Sequence, residues 1–137
     1  MEEQKDQKEN QIKEKVKKSR KTISSVGKAF VTATFNNTIV TISDNDGNTV
    51  CWGSCGNSGF KGARKSTPYA ATITCESVGK KALSLGVREV SVFVKGPGLG
   101  RIPAVKALKI AGLNITSITD TTSTPHNGCR PRKRRRM

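Results

Sequence analysis

Apolar residues are scarce before Val26 and from there recur at the two periods of regular structure. Ala29-Phe30-Val31-Thr32-Ala33-Thr34-Phe35 and Thr38-Ile39-Val40-Thr41-Ile42-Ser43 are β-branched and aromatic runs. They predict two strands around Asn36-Asn37, a pair that tolerates the positive φ of a tight turn. Asp44 to Asn48 reads as a second turn and Thr49 to Ser54 as a third strand, completing an antiparallel meander. Gly53, Gly56, Gly59 and Gly62 then predict a flexible loop. Ser66-Thr67-Pro68 supplies a hydroxyl cap and a first-turn proline. Ala71, Cys75, Val78, Ala82 and Leu85 follow at helical spacing until Gly86 stops the helix. Glu89 to Val94 is a strand with Val90, Val92 and Val94 on one face. Gly96-Pro97-Gly98-Leu99-Gly100 is a tight loop. Pro103 is expected to start a second helix, with Ala104, Val105, Leu108 and Ala111 inward and Lys106 and Lys109 outward, ended by Gly112. Leu113 to Asp120 gives the last strand.

The order β-β-β-α-β-α-β requires parallel pairing among the later strands, joined by right-handed crossovers. The expected architecture is a single α/β domain: a mixed five-stranded sheet with helices on both faces. Its expected limits are residues 25–121. Residues 1–24 form a charged arm without an apolar face, and residues 122–137 a basic tail; both are expected to be disordered in isolation.

Charge sharpens this picture. The formal net charge is +15 over 137 residues, with a pI of about 10.2. Residues 1–25 contribute +3, residues 26–124 contribute +6, and residues 125–137 hold six bases and no acid. Pro125, Gly128 and Pro131 keep that last stretch out of helix and sheet. Such a segment cannot bury enough surface to offset its ordering entropy, so it needs a polyanion to wrap; nucleic acid is the commonest. No apolar run approaches the ~20 residues of a membrane-spanning helix, and residues 1–25 lack the apolar stretch of a signal peptide. The sequence therefore predicts a soluble intracellular chain with no membrane partner.

Candidate chemistry is thin. Cys51 and Cys55, four positions apart in an expected strand, would lie ~13 Å apart, too far to share one ion. His126 is the sole histidine, so neither a metal site nor another cofactor is expected. The domain's five acids are Asp44, Asp46, Glu76, Glu89 and Asp120. None falls on the first strand, where a two-metal nuclease on a comparable sheet would want one, and no enzyme activity is expected. Gly96-Pro97-Gly98-Leu99-Gly100-Arg101 has Arg101 where a dinucleotide fingerprint needs glycine. Gly59-Phe60-Lys61-Gly62-Ala63-Arg64-Lys65-Ser66 has Arg64 where a P-loop needs glycine. What survives is a set of backbone N–H groups at helix starts beside Lys61, Arg64, Lys65, Lys95 and Arg101, suited to polymer phosphate. Phe30, Phe35 and Phe93 are expected in the core. Phe60 suits base stacking and burial equally. Binding to folded RNA by shape and phosphate is the reading that these loops and the tail favour.

Four motifs, in order and at matching spacing, also carry a resemblance. They are Phe35-Asn36-Asn37-Thr38-Ile39-Val40-Thr41, Gly59 to Ala71, Lys95 to Arg101, and Pro125-His126-Asn127-Gly128-Cys129-Arg130-Pro131. Together they resemble the family of the eleventh protein of the small ribosomal subunit, bacterial or plastid type, over about residues 26–137. The resemblance implies a structural constituent of the small subunit that supports assembly and translation. It further implies binding to small-subunit ribosomal RNA on the platform, near the path of messenger RNA toward its exit, beside neighbouring small-subunit ribosomal proteins. The location implied is the ribosome of a cytoplasm or a plastid. Carried over position by position, the RNA contacts are Asn36 and Asn37 at the turn, Lys61, Arg64 and Lys65 in the loop, and Gly98 and Arg101 before the second helix. In the tail they are His126, Asn127, Arg130, Arg132, Lys133, Arg134, Arg135 and Arg136. Cys51, Cys55 and Cys75 stand where the family has small residues.

Overall fold

Alternation of buried and less buried residues along Val26–Ala33 (β1) and most of Thr38–Asp44 (β2), with Thr49–Ser54 (β3) at the sheet edge burying Gly53, builds the meander. The computed structural model describes residues 23–134 and Arg136; most of the N-terminal arm (1–22) lies outside the described residues. After β3 come a short 3-10 turn, Gly62–Ser66, then helix α1, Pro68–Leu85. Strand β4 is Glu89–Lys95, helix α2 Arg101–Ile110 and strand β5 Asn114–Asp120. The five strands form one mixed sheet in the order β3-β2-β1-β4-β5. β1 pairs antiparallel with β2 and β2 with β3, whereas β1 pairs parallel with β4 and β4 with β5.

That strand order corrects the expectation of helices on both faces. β3 and β4 run in one direction, and both crossovers, β3-α1-β4 and β4-α2-β5, advance the same way across the sheet. Right-handedness then forces both helices onto the same side. The burial pattern agrees. Ala29, Val31, Val40, Ile42, Val90 and Val92 are sealed against Cys75, Val78, Ala82, Ala104, Ala107 and Leu108 in one cluster. The helices also touch each other closely: a Cβ on Gly79 would sit 2.6 Å from the Ala111 Cβ.

The opposite face of the sheet carries no helix, and this accounts for the aromatic residues expected inside. Phe30 is 42% exposed and stacks on half-buried Phe93, while Phe35 lies in the β1–β2 turn, 72% exposed. Small residues on both sides of the interface, Ala29, Ala33 and Gly53 on the strands and Ala71, Gly79 and Ala104 on the helices, explain why no ring is needed there: the layers approach too closely. Gly53 sits inside β3, not in the loop, because a Cβ there would lie 2.5 Å from Val78 Cγ2.

Helix ends follow local chemistry. Thr67 Oγ1 accepts from the Ala70 N–H at 3.3 Å and Pro68 opens α1, a cap worth ~1 kcal/mol. Gly86 closes the helix with φ 107°. The second helix begins at Arg101, two residues before Pro103. A proline is tolerated there because first-turn N–H groups have no intrahelical acceptor. Leu85, expected inward, is 45% exposed; Thr74 and Gly79 take core positions instead.

Candidate nucleic-acid interface

Strand directions decide where the candidate residues meet. β1, β3, β4 and β5 all end at the same edge of the sheet, so the turn after β1, the loop after β3, the glycine loop after β4 and the tail after β5 share one rim. Both helices begin at that rim too.

The turn after β1 is held by Thr34. Its Oγ1 donates to the Asn37 carbonyl at 3.0 Å and accepts from the Asn37 N–H at 3.1 Å. Neither asparagine has positive φ, so the expected backbone reason for the Asn-Asn pair does not hold. Asn36 is exposed, and Asn37 is half-buried with its Oδ1 enclosed and unpartnered.

The glycine loop lies directly over this turn. The Gly98 N–H donates to the Ala33 carbonyl at 2.9 Å, and a Cβ on Gly98 would fall 2.4 Å from the Thr34 carbonyl oxygen. Gly96, at φ 101°, would collide with the Ala33 carbonyl at 2.2 Å, and Gly100 with Thr38 Oγ1 at 2.3 Å. Gly98 is buried, so its geometry serves close packing of backbone on backbone.

Lys61 and Arg64 are exposed around the 3-10 turn, and Lys65 is half-buried. Phe60 is half-buried as well, packed edge-on against Tyr69 at 6.1 Å. Arg101 behaves differently from the other cations. Its guanidinium donates to the Gly96 carbonyl at 2.8 Å and pairs with the Asp120 carboxylate. Asp120 also accepts from Thr122, from N–H at 2.9 Å and Oγ1 at 2.6 Å. These Thr122 hydrogen bonds first, and Arg101 after them, hold the Asp120 carboxyl down at about 2. Arg101 thus ties the glycine loop to the root of the tail, a role that the sequence alone did not signal because its partner lies 19 residues away.

Among the described residues from Thr121 onward there is no regular structure, and His126, Asn127, Arg130, Arg132, Lys133, Arg134 and Arg136 are all exposed; Arg135 lies outside the described residues. Asn127 takes a left-handed φ of 60°. Lys61, Arg64, Lys65, Lys95 and Arg101 therefore stand on the edge from which a cationic tail departs, with Asp120 as the rim's acid.

The cysteines do not extend this chemistry. Burial, and secondarily Cys55, pushes the Cys75 thiol up to about 12; burial also raises Cys51, against the pull of Lys81. Thiols held protonated in this way are poor ligands and nucleophiles. Among the described residues no three His, Cys, Asp or Glu side chains cluster around a metal-sized site, and no helix is long and apolar enough to cross a membrane.

A mixed α/β sheet whose loops and tail gather cations at one edge defines a polyanion-binding scaffold. The chain belongs to the ribosomal protein S11 family, whose sequence profile matches residues 27–136. It is 57% identical over 121 residues to the small ribosomal subunit protein uS11 of Vesicomyosocius okutanii, which covers 88% of this chain and 94% of that protein. The uS11 proteins of Methylobacterium radiotolerans and Methylorubrum populi are likewise 57% identical, over 88% of this chain and 93% of theirs.

Proposed function

We propose that this chain is a structural, non-catalytic constituent of the small ribosomal subunit, where it binds small-subunit ribosomal RNA. It would act on the platform near the exit path of messenger RNA, beside neighbouring ribosomal proteins. The observation that carries this reading is the cationic rim running directly into the tail, in a member of the S11 family. Fixed cations of the rim (Lys61, Arg64, Lys65) set orientation on prefolded phosphate. Asn36 and Asn37 add amide contacts at the turn, Gly98 packs the loop backbone against that turn, and the tail follows the RNA outward. Arg101 acts mainly through the tail: it fixes where residue 122 begins its path.

Two measurements test this. In a lysate, the protein should co-sediment with small subunits; a protein found in the light fractions would sink the reading. Removing residues 125–137 should reduce the log–log salt slope of RNA binding by roughly 4 to 5.5, for six phosphate contacts. An unchanged slope would take the tail out of the interface.

A further inference from the structure

The helix-free face of the sheet is the largest feature that the rim does not use. Pairing across the strands places Trp52, Thr41, Phe30, Phe93 and Thr119 in a single transverse row on that face, one from each strand in the order β3-β2-β1-β4-β5. Phe30 and Phe93 are stacked with ring centroids 5.3 Å apart and planes 18° from parallel. That separation is close to the ~4.8 Å between neighbouring strands, so the rings stand side by side, their stacking axis running across the sheet. Two steps further along that axis is Trp52, 57% exposed, and the column between, over Thr41, holds no ring. The gap from Phe30 to Trp52 is therefore ~10 Å, enough for one flat ring system with a ring on either side.

We infer that this face is a platform for single-stranded RNA, with a base seated over Thr41 between Phe30 and Trp52. The inference deepens the ribosomal RNA reading and rests on it. The surroundings favour a nucleic acid over a protein partner. Hydroxyls of Thr32, Ser91, Ser117 and Thr119 share the face with the partly exposed Val26 and Ile39 at its margins, and Lys28 and Lys95 stand at its two ends. The face's acid, Glu89, lies at the end remote from the rim and accepts from Asn114. Interfaces with proteins concentrate aliphatic and aromatic area and shed lysine. Rings spaced among hydroxyls and cations suit bases and phosphates instead. Lys95 and Thr32 bring the platform up to the rim, so one strand of RNA can pass from tail to face.

Trp52 is the chain's only tryptophan, so its fluorescence reports on this face alone. The experiment titrates the full chain with a twelve-nucleotide oligoadenylate and, separately, with a twelve-base-pair RNA duplex, at 0.2 M salt. The expected result is quenching of Trp52 by the single strand and little by the duplex. The quenching should persist in a chain whose tail cations from Arg130 to Arg136 are replaced by glutamine. Trp52→Leu, followed by anisotropy of a labelled oligonucleotide, should weaken single-strand binding roughly tenfold and leave duplex binding unchanged. Phe30→Leu should do the same with the Trp52 signal still available. Equal quenching by duplex, or no quenching by the single strand, overturns the platform. So does Trp52 shielded in assembled subunits but indifferent to oligonucleotide, which would mean a protein covers the face. If co-sedimentation with small subunits holds while quenching fails, the platform falls and the ribosomal reading stands.

Discussion

The two ends of the sheet are built from the same kinds of turn yet differ in charge and closeness. At the carboxyl end, Lys61, Arg64, Lys65, Lys95 and Arg101 face Asp120, and Gly96 and Gly98 bring backbone within contact of backbone while Gly100 makes room for the Thr38 and Ala71 side chains. At the other end, Asp44, Asp46 and Glu89 sit among Lys28, Lys81, Arg88 and Lys109, a nearly balanced set. Of its turn glycines, Gly47 and Gly86 have nothing within 4 Å of where a Cβ would be, while a Cβ on Gly112 would lie 3.2 Å from Leu83 Cδ1. One end is cationic and packed tightly where the Gly96–Gly100 loop meets β1, the other mixed in charge and open at the Gly47 and Gly86 turns. The contrast teaches that the fold's charge excess is placed, not spread, and that its placement depends on a packed loop.

The largest effect that tests this difference is a methyl group. Gly96→Ala meets the Ala33 carbonyl at 2.2 Å and must also hold φ near 101°, so overpacking and left-handed strain add; a loss of about 3 kcal/mol or more is expected. Gly47→Ala carries only the left-handed cost, about 1 kcal/mol. Denaturant midpoints of the two variants measure it. Equal losses would remove the claim that the carboxyl end is the tighter one.

A smaller effect separates the ends by charge. Replacing Lys61, Arg64 and Lys65 together with glutamine should lower the salt slope of RNA binding by roughly 2 to 3. The matching replacement of Lys81, Arg88 and Lys109 should leave it unchanged. If both triples act alike, RNA responds to overall charge and the rim has no special standing.

Much of the architecture was legible in local sequence. The alternation of Val90, Val92 and Val94, the Thr67-Pro68 start and the Gly86 stop are signals read within a few residues, and all appear where expected. What local patterns could not carry was anything fixed by pairing between distant strands. The side on which the helices lie follows from strand order, not from periodicity, and with it goes the exposure of Phe30 and Trp52. A β-branched aromatic run looks the same whether its rings meet a helix or solvent. Gly53 misled for the same reason: its need is a neighbour, Val78, 25 residues on. Within the candidate site, the cations were legible as a composition, but their meeting on one rim required parallel β1, β4 and β5. Arg101's tie to Asp120 required the crossover to bring residue 120 back beside residue 101.

The smallest effect concerns that tie, and it distinguishes a tail whose path is set from one that merely trails. Asp120 in the folded chain is held at about 2, below an ordinary value of 3.8. A lowered carboxyl stabilises its surroundings above the ordinary value and ceases to do so as pH falls through the folded one. The part of residue 122's attachment that runs through the Asp120 carboxylate is therefore complete above about pH 4 and lost progressively toward pH 2, while the hydrogen bond from the Gly96 N–H to Thr122 Oγ1 at 3.1 Å does not titrate. Solvent exposure of the pair keeps the contribution to global stability slight, so the readout has to be local. The Thr122 amide, which donates to Asp120, should lose exchange protection across this window, and Asp120→Asn should weaken that protection at neutral pH while leaving the β1–β2 ladder amides protected. At neutral pH the same variant should keep most of its affinity for RNA, since no cation is removed, but spread the tail over more orientations. If Thr122 proves equally protected at pH 5 and pH 2, the Arg101–Asp120–Thr122 network does not set the tail's path, and the rim and tail must be treated as independent binding elements.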